Sequence, residues 1–360
     1  MTKALQFHML TSFPPSCSNR DDTNRHKSCK FGNEGRLRIS SQSLKAAMRR
    51  SLGSATNPAF DLSRRTKRLF VPIEEQLIAE GATPEQARAA TNAVLPVFGV
   101  FCDKAKADVL GKVPASAALV FASRREEEAL LQICREVVEG SLDEKEALKR
   151  AKKEAVGMCE EAGDIALFGR MIASSLEHNV DAALSISHAI TTHGSFAETD
   201  FWTGMDDLVP ADRNTAAMMN HNYFGSGVFY TYICVDLEQL YENLGRDKAA
   251  VRSLLPELVR CIATVRPGGM VNSFAHNPLA GYIEMTYGAP FAHNLANAFA
   301  TGVEGTTLME TSIAVLREER DRYEACYGNA PEQRHIMDAP AGEGTLAELQ
   351  QAAAALADKL

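Results

Sequence analysis

The run SGVFYTYICVD (226–236) alternates side-chain character and is rich in β-branched and aromatic residues, the strongest strand signal in the chain. A second alternating run opens the sequence. Leu5, Phe7, Met9 and Phe13 interleave with Gln6, His8 and Ser12, and Pro14-Pro15 ends the pattern. Strands this far apart, with helical patterns between them, predict an α+β sheet carrying insertions. No internal repeat is visible. At 360 residues and 45% apolar composition, one to three domains can bury a core without staples.

Between the strands, Ser16–Arg38 is polar, basic and punctuated by Gly, and predicts a long excursion from the sheet. ISSQSLKAAMRRSL follows, with Ser40 or Ser41 as N-cap. Leu44, Ala47, Met48 and Leu52 share one face of this helix, while Ser41, Lys45 and Arg49 form a polar stripe on another. A further helix is expected from Thr83-Pro84-Glu85, an exposed charged helix pair over 124–163, and another helix over 180–193. Residues 194–227 hold the only Trp and no helical period, and predict a hairpin-like protrusion. Short helices are expected at 237–244 and 256–265, a strand or hairpin over 270–287 and an amphipathic helix over 345–360.

The net charge of −8 argues against a polyanion partner, but its distribution reverses that reading. Residues 20–68 contain thirteen cations and four anions, so this segment carries +9 and the remainder −17. The cations Arg20, Lys27, Arg36 and Arg38 precede a Ser-rich helix start, where free N–H groups and the positive dipole end favour a phosphate. Ser40, Ser41, Gln42 and Ser43 add neutral donors, and Lys45 and Arg49 extend the same side by two turns. In the protrusion, Phe196, Phe201, Trp202, Met218, Met219, Tyr223 and Phe224 either stack on bases or pin the arm to protein.

The signals for catalysis are weak. His188 and His193 are five residues apart, a poor metal spacing, and serve either as packing residues or as an acid–base pair for RNA cleavage. Asp21-Asp22 and Asp206-Asp207 lack a third ligand, and read as turn or cap residues rather than as a Mg²⁺ site. The eight cysteines show no Cys-x2-Cys spacing, and read as reduced thiols. No cofactor or metal is expected. Without a signal-peptide pattern or a long apolar run, the expected location is cytoplasmic, with no membrane partner.

Several runs carry a family resemblance: PSCSNRDD (15–22), RISSQSLKAAMRRS (38–51), ALFGRMIAS (166–174), ALSISHAITTH (183–193), SGVFYTYICVDLEQLYENLG (226–245) and LANAF (295–299). In this order they resemble the CasC backbone subunit of the type I-E CRISPR Cascade complex. The resemblance implies an RRM-like (ferredoxin-like) palm from 1–60, 165–192 and 226–330. It further implies a helical fingers insertion at 61–164, a β-hairpin thumb at 193–225 and a C-terminal helix or tail at 331–360. It implies a non-catalytic protein that polymerises along CRISPR RNA with other Cascade subunits and presents spacer bases to target DNA. Carried over by position, Arg20, Lys27, Ser40, Gln42, Lys45 and Arg49 would hold crRNA phosphates, with Ser43 beside them. Met171 would wedge against a kinked base, and Phe201, Trp202 and Thr203 would lie in the thumb. Lys149, Arg150, Lys152 and Lys153 would face DNA. The rival readings are a metal-independent endoribonuclease using His188 or His193 and a module whose basic segment binds an acidic protein.

Overall fold

The computed structural model describes residues 4–52, 60, 62–98, 119–172, 176–205, 207 and 218–360. The chain forms two compact units. The first comprises residues 1–55, 185–236 and 255–355, and the second 56–184, 237–254 and 356–360.

In the first unit, strand β1 (Ala4–Ser16) is followed by the hairpin β2 (Ser28–Phe31) and β3 (Glu34–Ile39), and by helix α1 (Ser41–Leu52). The β2–β3 turn relies on Gly32, whose φ is +61° and whose missing Cβ makes room for the Ala300 carbonyl. Leu44, Ala47, Met48 and Leu52 are the buried face of α1, as the spacing predicts.

The second unit is largely helical. It contains the short strand pair β4 (Arg64–Thr66) and β5 (Val120–Ala122), and helices α2 (Phe70–Ala79), α3 (Pro84–Val94), α4 (Arg124–Val138), α5 (Glu144–Arg150) and α6 (Gly163–Phe168). A π-helical turn, Ala151–Ala155, extends α5. Helix α4 starts at a complete capping box, Ser123 with Glu126. The charged pair α4–α5 is more than a solvated surface, because Leu130, Ile133, Cys134 and Ala147 join Ile73, Leu77 and Ala90 in one apolar core. Glu126 and Arg170 meet at 2.7 Å as a buried ion pair.

The segment 180–193 is not the expected helix but two strands, β6 (Leu184–Ile186) and β7 (Ala189–Thr191). Its β-branched Ile186, Ile190, Thr191 and Thr192 favour extended backbone. Tertiary pairing supplies the rest, since β7 fills the gap between β3 and the long strand of the sheet. The arm follows as β8 (Glu198–Gly204), paired in antiparallel register with the first part of β9 (Met218–Asp236). Gly225 sits where this 19-residue strand passes Leu37, and an added Cβ would lie 2.5 Å from Leu37 Cδ1.

Helices α7 (Leu237–Asn243) and α8 (Lys248–Thr264) come next. α8 starts earlier than expected and runs through Pro256. The 270–287 segment divides into a single turn, α9 (Val271–Phe274), and strand β10 (Tyr282–Tyr287). Helix α10 (Leu308–Tyr327), strand β11 (Gln333–Asp338) and helix α11 (Leu346–Ala355) end the described elements of the first unit.

The main sheet runs β11-β10-β1-β9-β7-β3-β2, with β6 and β8 also paired to β9. β1 lies between β9 and β10, with Leu5 opposite both Val235 and Tyr287. Being central, it is buried on both faces rather than half-buried as its alternation suggests. Leu5, Phe7 and Met9 fill one face, while Gln6 and His8 are enclosed on the other. The polar face is satisfied internally: Tyr230 Oη lies 2.9 Å from His8 Nδ1, and Gln6 Oε1 accepts from the Tyr232 hydroxyl and the His293 amide. Ile313 and Leu316 of α10 pack with Leu10, Tyr230, Tyr282 and Phe299. This is an α+β, RRM-like palm carrying a helical insertion and a β-hairpin arm. No helix among the described residues is long and apolar enough to cross a membrane.

Candidate nucleic-acid interface

The first part of the basic segment, through α1, lies at the β3–β2 edge of the first unit, and its loop is ordered by its own polar side chains. Asp21 Oδ1 accepts from the Thr23 amide, the Thr23 hydroxyl and the Arg25 amide, the last two at 2.8 and 3.0 Å. The Thr23 hydroxyl bond comes first in holding the Asp21 carboxyl below its ordinary range. Asp21 is thus a turn residue, as expected. Arg20 pairs across a β-bridge with His26 and donates to Asn24 Oδ1 at 2.8 Å. The Lys27 amide donates to the Asn19 carbonyl, and the Lys27 carbonyl accepts from the Arg38 amide. Asn19 Oδ1 in turn accepts from the Ser40 amide at 2.9 Å. One side chain therefore ties the loop bearing Arg20 and Lys27 to the start of α1. Asn19 escaped the sequence reading because an amide that bonds only the main chain has no spacing signature.

Ser40 is the N-cap of α1. Its carbonyl and hydroxyl both accept from the Ser43 amide, at 3.0 and 3.4 Å. The Ser41 amide donates to His188 Nδ1 at 3.0 Å. The expected free N–H groups are therefore partly spent on protein acceptors, because an exposed helix end captures whatever acceptors lie close. What the edge presents to an anion is mainly side-chain chemistry: exposed Gln42, half-buried Ser43, and half-buried Ser41, Lys45 and Arg49 along one stripe. Burial pulls the Lys45 ammonium below its ordinary pKa, so a neighbouring anion would favour its charged form.

Arg36 does not join this edge. Its side chain is enclosed, donating from Nη1 to the Thr191 carbonyl and from Nη2 to the Phe299 carbonyl. Arg36 and Arg38 share one face of β3, and the Thr191 and Phe299 carbonyls that pack over Arg36 enclose it while Arg38 stays half-exposed. The two histidines are likewise part of the scaffold. Burial first, then Arg38 and Lys27, push the His188 pKa down. His193 donates from Nδ1 to the Gly194 carbonyl and accepts at Nε2 from the Val228 amide.

The arm has two chemically different faces. Opposite pairs in antiparallel strands share a face, so Thr199, Tyr223, Phe201, His221, Thr203 and Met219 lie together. Trp202 lies on the reverse face with Asn220 and Asn222. Phe201 is 65% exposed, whereas the Trp202 Nε1 atom is buried without a partner. Phe224 packs against Phe274, pinning the arm's base. Phe224 is therefore a pinning residue, while Phe201 is left exposed. Asp206 lies outside the described residues, and Asp207 is in a turn.

Met171 belongs to the second unit and is 82% exposed. So do Lys149, Arg150, Lys152 and Lys153. Lys149 lies 3.5 Å from Glu146, and Arg150 is held by Glu136 and Glu154. Lys152 and Lys153 are exposed, and the Lys152 carbonyl accepts from His178 Nε2. Among the described residues no cluster of three or more His, Cys, Asp or Glu is arranged to hold a metal ion. The described cysteines are free thiols, and burial raises the pKa of Cys17 and Cys29 near the basic loop.

A basic loop, a helix with a cationic stripe and an aromatic arm on this sheet define the class: an α+β protein of RRM-like fold with a basic edge. Its family is settled by sequence. The chain belongs to the CT1975-like family of Cas proteins, whose profile matches residues 5–359. The fold is similar to a solved chain described as "CRISPR RNA-guided surveillance complex, pre-nicking", with a TM-score of 0.82, 25% identity and coverage of 98% of this chain and 99% of that one. A second, described as "CRISPR RNA-guided surveillance complex", shares the fold with a TM-score of 0.71 and 22% identity over 98% and 99% of the two chains. No curated protein sequence matches the chain.

Proposed function

We propose that this chain is a subunit of an RNA-guided CRISPR surveillance complex, and within it the non-catalytic backbone subunit of the type I-E, CasC-like kind. Several copies would line CRISPR RNA in the cytoplasm, with other Cascade subunits, and present its bases to target DNA. The observation that carries this reading is the grouping of Arg20, Lys27, Ser40, Gln42, Ser43, Lys45 and Arg49 on one edge. There Asn19 and the N-cap bonds hold the backbone while the cationic side chains remain on the surface. Such a donor set suits phosphates and carries little sequence information, in keeping with a protein that leaves sequence reading to base pairing. Phe201 and Thr203 supply the face of the arm that meets RNA, with Trp202 supporting it from behind. Met171 would act as a wedge, and Lys149, Lys152 and Lys153 would lie near DNA, with Arg150 held in ion pairs beside them. In support of a non-catalytic role, His193 spends both ring nitrogens on the main chain.

Light scattering of the full chain with spacer-containing RNAs of increasing length tests this, with duplex DNA as control and co-expressed partner subunits alongside. Mass rising in steps while the RNA stays intact is the expected result. RNA cleavage lost in His193→Ala would instead establish the endoribonuclease.

A further inference from the structure

Beside the phosphate edge lies a groove of about 640 Å³, bounded by the loop 21–30 on one side and by residues 195–199 and Tyr223 on the other. Its volume is in the range of small-ligand sites. Its lining combines planar and polar groups. The Arg25 guanidinium sits 4.9 Å from the centre of the Tyr223 ring and donates to its hydroxyl at 3.4 Å. Phe196 lines the same groove with 78% of its surface exposed, so its ring face is open to a planar ligand. Ser28, Lys30 and Thr199 complete the wall with hydroxyl and ammonium donors, and all three are exposed.

We infer that this groove is a nucleobase site, taking one unstacked base of a bound single strand against Arg25 and Phe196. The inference rests on the RNA-binding reading above. Three properties select a base over an acidic peptide. A guanidinium plane backed by a tyrosine ring and an exposed phenyl ring both stack on π-faces. Hydroxyl and ammonium donors at the wall fit the polar edge of a base or its phosphate. Ser28 and Lys30 of the wall belong to the same loop and strand that carry Lys27, so the groove adjoins the phosphate edge. The Asx turn at Asp21 fixes the Arg25 amide before any ligand arrives. Tyr223 is also where the stacking face of the arm begins, continuing through His221 edge-on at 5.4 Å to Phe201.

The test uses the full chain with RNAs carrying a 2-aminopurine or an abasic residue at successive positions. Fluorescence should be quenched at defined positions, and an abasic residue there should weaken binding by about five- to hundred-fold, the range for lost base–aromatic stacking. In Phe196→Ala that abasic penalty should vanish while the salt slope stays unchanged, because stacking releases no counterions. Phe196 is exposed, so the variant should fold, and Tyr223→Phe, which keeps the ring, should retain the quenching. Lys45→Ala serves as the reference. If it loses RNA affinity while abasic residues cost nothing at any position, the groove is not a base site and the phosphate edge stands. If neither wild type nor Lys45→Ala distinguishes RNA from buffer, the RNA-binding reading itself fails. Saturation of the groove by a polyglutamate peptide, with RNA unable to displace it, would also overturn the inference.

Discussion

The backbone N–H of Ser41, the first residue of α1, donates to Nδ1 of His188 at 3.0 Å. This single bond joins the start of the cationic helix to the bend between β6 and β7, and it requires Nδ1 to be unprotonated. The neutral ring then carries its proton on Nε2. Burial, Arg38 and Lys27 all push in the same direction by disfavouring the imidazolium.

His188 should accordingly be neutral at pH 7 and titrate below the ordinary histidine value of about 6.5. The contribution of this contact is present above that value and is lost as pH falls through the lowered folded-state pKa. Nitrogen-15 spectra of the imidazole would show an Nε2–H tautomer. A ring already half-charged at pH 7 would contradict the geometry.

Lys45→Ala should weaken RNA binding equally for unrelated sequences. The slope of log affinity against log salt should fall by about 0.7, the value for one single-strand phosphate contact. Binding isotherms at several salt concentrations measure both quantities, and a sequence-selective loss would argue against a backbone contact.

Arg170→Met should destabilise the helical unit by about 3–5 kcal/mol, because Glu126 would keep a buried charge without its counter-ion. The Arg170→Met/Glu126→Gln double variant should recover part of that loss. Urea unfolding and hydrogen exchange across α4 report the change. Additive losses in the double variant would mean that the pair is not coupled.

His8 is enclosed in the sheet, and burial lowers its pKa from 6.5 to about 4. A depressed histidine makes stability highest above pH 6.5 and progressively lower down to about pH 4. The full difference is about 3 kcal/mol at roughly 1.4 kcal/mol for each pH unit. His8→Gln should flatten the stability profile within this window and leave it unchanged above pH 7.

The local periodicities were legible without a structure. The strand over 226–236, the amphipathic split of α1, the Pro-started helix α3 and the hairpin arm depend on side-chain spacing and backbone preference between near neighbours. The charge imbalance of residues 20–68 was legible as well, because net charge is additive along a chain. What needed the fold was every property set by distant partners. Extended pairing with β3 and β9 made 184–191 strands, whereas local pattern read as a helix. Central placement enclosed Gln6 and His8 in what looked like a half-exposed strand. Arg36 and Arg38 share a face of β3, and only the packing of distant residues over Arg36 encloses one and leaves the other half-exposed. Only the packing of β7 could bring His188 to an amide 147 residues earlier. Sequence thus determined which groups are present and how they repeat. Tertiary structure decided which are desolvated, because burial depends on surfaces that distant residues supply.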